Sequence, residues 1–291
     1  MKRYLVWHGD FDTRSFILST EIKDTWESDV KKQWHESKKQ ISNGLAFEFG
    51  ALDLPRKIQD FIDIGDKPFS IVAHHNAFFA QTRNSFVQGA YYPALTGACA
   101  LGERILNHLV IDMRDDFKST PEYKIVYRKD SFDDWQQAVS VLRAWDVFQV
   151  GVDDLFLKLA SVRHRSIHFN PSTAENLRDE ALSAIHLLRE IIHRQFGSFG
   201  SHTWALKGTK GQCFIKQSSE NDVFLKRYYL PQCLLVGINF SIAFDQHGQA
   251  MFFDFEDYGH GNLTDEEFCE RYNNRKPTDL APTEDQFRLR R

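Results

Sequence analysis

The 291-residue chain has no uninterrupted apolar run near the ~18 residues that a membrane-spanning helix requires. Its opening Tyr4-Leu5-Val6-Trp7 is also too short for the apolar core of a signal peptide. Cysteine is scarce. The four residues Cys99, Cys213, Cys233 and Cys269 show no paired spacing, and the first lies inside an apolar helical pattern. That argues against a disulfide framework or a zinc site and predicts reduced thiols in a cytoplasmic protein with no membrane contact. No excess of positive charge exists either. Lys+Arg number 36 against 40 Asp+Glu, a net charge of -4, so any nucleic-acid binding must come from a local basic face. Walker-type loops, Gly-x-Ser-x-Gly elbows and dinucleotide fingerprints are missing, as are internal repeats. Gly208-Thr209-Lys210-Gly211 lacks the spacing and the following helix of a phosphate loop, and reads as a turn.

What is present suits a globular protein: 42% apolar and 26% charged residues, with 25 Phe to build large packed faces. Three regions follow from the patterning. Residues 1–68 form an α+β segment of unknown role. Within it, Lys31, Lys32, Lys38 and Lys39 read as the solvated side of a helix, and the alternation Leu45, Phe47, Phe49 predicts a strand. Residues 69–197 carry helical periodicity throughout and predict a bundle of about five helices. One stripe runs from Ile71 to Phe86 and a second from Leu95 to Met113, with Gly102 inside it. Ser131 with Asp134 predicts a capping box before Trp135, and Asp153-Asp154 favours the start of the helix carrying Leu155, Phe156, Leu159 and Val162. Asn170-Pro171 stops that helix, and Ser172 with Glu175 opens a last one over 173–196. Residues 198–291 alternate glycine-rich turns with β-type runs, including 213–216, 223–230, 234–244 and 250–255, with a hairpin at His247-Gly248. This β-rich unit ends in an acidic stretch, with 11 acids against 3 Lys+Arg over 245–287. The predicted class is mainly α: a helical bundle core, a small N-terminal segment and a small β-rich C-terminal unit.

The chemistry-bearing stretch is Arg163-His164-Arg165-Ser166-Ile167-His168-Phe169-Asn170-Pro171. Guanidinium forks match phosphate oxygens, and imidazole moves protons near neutral pH. Together they suit metal-free phosphodiester cleavage; the plainer alternative is a polar helix end favoured by the helix dipole. His164 and His168 share a helix face at i, i+4, but Arg165 stands where a zinc helix would carry Glu, and two arginines repel a dication. No metal site is predicted. On a regular helix Arg163 and His168 point ~140° apart. One phosphate can meet both only if the helix unwinds or a second subunit contributes.

A helical bundle whose penultimate helix ends in Arg163-His164-x3-His168 resembles the HEPN superfamily, whose motif is Arg-x(4–6)-His. The resemblance covers residues 69–197. It implies a metal-independent, cofactor-free endoribonuclease of toxin or phage-defence type that acts as a homodimer, with an antitoxin or regulatory protein as possible further partner. Carried over by position, Arg163 would hold the scissile phosphate, His168 would be the general acid/base, and His164 would orient substrate or assist proton transfer. Arg165, Glu103 and Asn170 would contribute to substrate binding. Attack by the ribose 2′-OH would leave a 2′,3′-cyclic phosphate and would exclude DNA as substrate. The alternative within the resemblance is a non-catalytic dimeric module binding RNA, a nucleotide or a protein.

Overall fold

A computed structural model describes residues 1–7, 9–71, 73–167, 175–199, 202–259 and 261–283. The chain is mainly α-helical. It opens with β1 (Arg3–Val6), β2 (Asp10–Asp12), α1 (Arg14–Ser19), α2 (Ser28–Phe49), α3 (Leu54–Asp63) and β3 (Lys67–Ser70). The helical stretch follows as α4 (His74–Val87), α5 (Tyr91–Met113), α6 (Tyr123–Val126), α7 (Trp135–Ala144), α8 (Val152–Ile167) and α9 (Leu177–Phe196). Last come β4 (Cys213–Phe214), α10 (Val223–Tyr228), β5 (Leu234–Val236), β6 (Ser241–Phe244), β7 (Ala250–Phe253) and α11 (Asp265–Asn274).

These elements gather into two compact units, Gly9–Gly197 and Met1–His8 with Ser198–Arg291. A division falls after Gly197, where the sequence texture changes; none falls at residue 68. Residues 9–68 belong to the helical unit, and the first eight join the C-terminal one because β1 pairs there. In that smaller unit β1 lies antiparallel between β4 and β5, with Leu5 opposite Phe214 on one side and Leu234 on the other. Its core gathers Leu5, Phe214, Val236, Phe240, Phe268 and Tyr272. β6 and β7 form the expected hairpin, with Gly248 at φ +77° in the turn. Thr264 and Glu267 form a reciprocal capping box on the acidic helix α11.

Local structure departs from the expected pattern at several points. Leu45, Phe47 and Phe49 lie in helix α2, not in a strand. Leu45 and Phe49 are an i, i+4 pair on its buried face, while Phe47 points outward at 95% exposure, so the alternation has no inward partner. Residues 67–70 pair as β3 with β2, and the helical stripe expected from Ile71 begins as α4 only at His74. The run 223–230 was expected as β-type but is helix α10. The Asp222 carboxylate accepts the Leu225 N–H at 2.8 Å, and Phe224, Leu225 and Tyr228 share the buried face. At α7 the cap is Asp134, accepting from Gln137 N–H at 3.0 Å, with no capping role for Ser131. Residues 168–174, including the Ser172 cap, lie outside the described residues.

In the helical unit α5 is the central element, packed against α4, α7, α8 and α9. Ala94, Leu95, Ala98, Cys99, Ile105, Leu106 and Leu109 are buried along it. Gly102 lets α5 approach its neighbours: a methyl there would run into Leu159 Cδ2 and lie 3.1 Å from Trp135 Cη2. Both side chains are buried, so neither has room to move away. Gly102→Ala should therefore destabilise by about 1–2 kcal/mol, overpacking outweighing the ~1 kcal/mol helix-propensity gain. A thermal melt checks this; an unchanged or raised midpoint would show that Leu159 can shift. A second anchor is Asp60 on α3, 1% exposed. It accepts from Arg56 Nη1 at 2.6 Å, Tyr91 Oη at 2.9 Å and Arg178 Nη2 at 2.8 Å, tying α3 to α5 and α9.

Candidate functional site

The candidate site is the C-terminal end of α8. Asp153 and Asp154 occupy its first turn and His164 and Arg165 its last, each sign at the end the helix dipole favours. Phe156, Leu159 and Val162 bury one face. Arg163 and Arg165 follow on the flanks, ~200° apart around the axis, and so reach different neighbours. Arg163 Nε meets Glu103 Oε2 of α5 at 2.9 Å, with both side chains partly exposed. Arg165 Nη2 meets Glu180 Oε2 of α9 at 3.2 Å, and its Nη1 donates to Ser161 Oγ at 3.2 Å. His164 is exposed. Ser166 is buried and donates to the Arg163 carbonyl at 2.9 Å.

Of the residues singled out in the sequence, Glu103 and Arg163 are thus brought together, with Arg165 on the neighbouring flank. His168 and Asn170 lie outside the described residues. Glu180 was not anticipated as a partner of Arg165; its only signal was an acid in the first turn of α9. Partly exposed ion pairs of this kind contribute ~0–1 kcal/mol each. A guanidinium held so weakly can exchange its glutamate for a phosphate oxygen at little cost.

Cys99 also lies near this end of α8. Burial pushes its thiol up to about 11, which outweighs the opposing hydrogen bond with Ser166 and the charge of Arg163. Burial likewise raises Cys213 to about 11, Cys233 to about 12, and Cys269 above its ordinary range. A raised thiol pKa means less thiolate at a given pH. At pH 7.5 a pKa near 11 leaves a thiolate fraction on the order of 10⁻³–10⁻⁴. Ellman's reagent should then label the native protein slowly and all four cysteines rapidly in urea; a fast-reacting native thiol would contradict this. No thiol here is primed as a nucleophile.

Among the described residues no group of three or more His, Cys, Asp or Glu could hold a metal ion, and no helix is long and apolar enough to cross a membrane. No protein-family model, curated protein or solved structure matches the chain.

Proposed function

We propose that the helical unit is a metal-independent endoribonuclease of the HEPN type, acting in a toxin or phage-defence setting as a homodimer. The observation that supports this reading most directly is Arg163 at the end of α8, partly exposed and held by an exchangeable pair with Glu103. In the proposed reaction an RNA phosphate displaces Glu103 from the Arg163 guanidinium, which then balances charge on the phosphorane. The ribose 2′-OH attacks phosphorus, the 5′-oxygen leaves, and His168 carries the proton between them, yielding a 2′,3′-cyclic phosphate and a 5′-OH. His164 and Arg165 supply positive charge for the flanking backbone.

Cleavage of single-stranded RNA in EDTA tests the proposal. Activity should persist, 2′-deoxy substitution at the cleaved position should block it, and His168→Ala should slow it by ~10²–10⁴-fold. Activity that vanishes in EDTA, or that extends equally to DNA, would reject the mechanism. A second reading is favoured by one observation: both arginines already hold in-chain glutamates, Glu103 and Glu180. A non-catalytic module that binds RNA, a nucleotide or a protein through this face would show ligand binding without cleavage, unchanged in His168→Ala.

A further inference from the structure

A cleft of about 360 Å³ in the helical unit draws on no residue of the α8 site. Its walls come from β2, α1, α2, α3, β3 and α4, and three cationic side chains converge on it: Arg14, Lys67 and Arg83. Two of them are already matched. Arg14 pairs with Asp12 at 2.9 Å and with Glu48 at 2.8 Å, and Lys67 pairs with Asp10. Arg83 differs. It is 4% exposed, and its guanidinium donates to two backbone carbonyls, Ile64 at 3.4 Å and Gly65 at 2.7 Å. The rings of Phe61 and Phe79 lie 5.9 and 5.7 Å from it. Among the described residues no carboxylate forms an ion pair with it.

Carbonyl dipoles and ring faces compensate a buried cation only in part, and a buried arginine with no carboxylate in contact is incompletely balanced. Burial pulls the Arg83 pKa down to about 10, with Arg189 and Arg14 adding repulsion against the pull of Asp12 and Asp66. It still carries its charge at neutral pH. In number the charges balance, with Asp12, Glu48 and Asp10 against Arg14, Lys67 and Arg83; what Arg83 lacks, among the described residues, is a carboxylate in direct contact with its guanidinium. Lining carboxylates Asp12 and Glu48 would repel a dianion more than a monoanion, and a single carboxylate matches the planar fork of the guanidinium. Beside these groups the cleft offers Phe11, Phe61, Ile64 and Val87, and Phe11 is half-exposed, stacked on Phe69 with ring centroids 3.9 Å apart. The volume exceeds what a bare ion fills and falls in the range of small-molecule sites.

We propose that this cleft binds a small organic monocarboxylate, its carboxylate on Arg83 and its apolar body against Phe11 and Phe61. Phenylacetate is a suitable probe, titrated into the full chain by calorimetry and by thermal shift. Phenylacetate should bind and raise the melting temperature, while the neutral phenylacetamide should not. Arg83→Gln should weaken phenylacetate binding by at least about tenfold, the loss of a charge-assisted pair. Phe11→Ala, a substitution at a half-exposed side chain, should leave the fold intact and weaken binding about threefold to tenfold by removing apolar contact. It keeps the test decisive if Arg83→Gln does not fold. Equal effects of phenylacetamide or inorganic phosphate, unchanged affinity in a folded Arg83→Gln, or unchanged affinity in Phe11→Ala would each overturn the proposal.

Discussion

Asp60→Ala should lower the midpoint at which residues 9–197 unfold by about 6–12 °C. The carboxylate is almost wholly buried and accepts hydrogen bonds from Arg56, Tyr91 and Arg178. Removing one partner of a buried ion pair costs ~3–5 kcal/mol, because the remaining charge is left uncompensated. The lower end applies here. Both arginines are about one-third exposed and can rehydrate, and each keeps a further acid, Asp53 for Arg56 and Asp63 for Arg178. At about 3 kcal/mol, and 2–4 °C per kcal/mol for a unit of this size, the expected shift follows. Asp60→Asn preserves volume and an acceptor, so its loss should be smaller. Circular dichroism melts of the full chain decide the matter. A shift below about 2 °C in Asp60→Ala would show that Asp53 and Asp63 suffice to hold the two arginines.

Under the proposed endoribonuclease reading, Arg163→Ala should reduce RNA cleavage by about 10²–10³-fold while leaving the melting temperature near its native value. The catalytic loss is what removing one charge-stabilising donor typically costs. The stability effect is small because the Arg163–Glu103 pair is partly exposed and contributes ~0–1 kcal/mol. Arg163→Lys retains the charge but not the planar fork, so its activity should fall between the two. Glu103→Gln supplies a useful contrast. It releases Arg163 from its carboxylate, and RNA should then bind at least as tightly as to the native chain. Steady-state cleavage of a labelled oligonucleotide, beside a thermal melt of each variant, separates the outcomes. Full activity in Arg163→Ala, or unfolding of that variant, would remove Arg163 from the reaction and leave it a structural residue.

The helical core was largely legible in the sequence. The periodicity from Leu95 to Met113 marks α5, and the Asp153-Asp154 start marks α8, because helix hydrogen bonds and caps are local and leave their signal within a few residues. Gly102 was legible in the same way, as a residue tolerated mid-helix only where something packs closely. Short apolar runs were less legible. Leu45 to Phe49 and Val223 to Leu230 suit either strand or helix, and burial on one helical face settled them. The Arg163-to-His168 motif could be read directly, but its consequence could not: which acid meets which arginine depends on how α5, α8 and α9 pack.

By itself the sequence determined the mainly helical class, the stripes that bury α5 and α8, the change of texture after Gly197 and the presence of a two-arginine helix end. Each is a property of neighbouring residues, set by side-chain spacing and local capping. The tertiary structure alone decided that β1 belongs with strands more than 200 residues further on, and that residues 9–68 join the helical unit. It also decided that Asp60 is surrounded by two arginines and a tyrosine, and that Arg83 is buried with, among the described residues, no carboxylate in ion-pair contact. These are pairings across long sequence separations. Strand partners and counter-ions come from whichever segments the core brings into register, and neither periodicity nor composition encodes that choice.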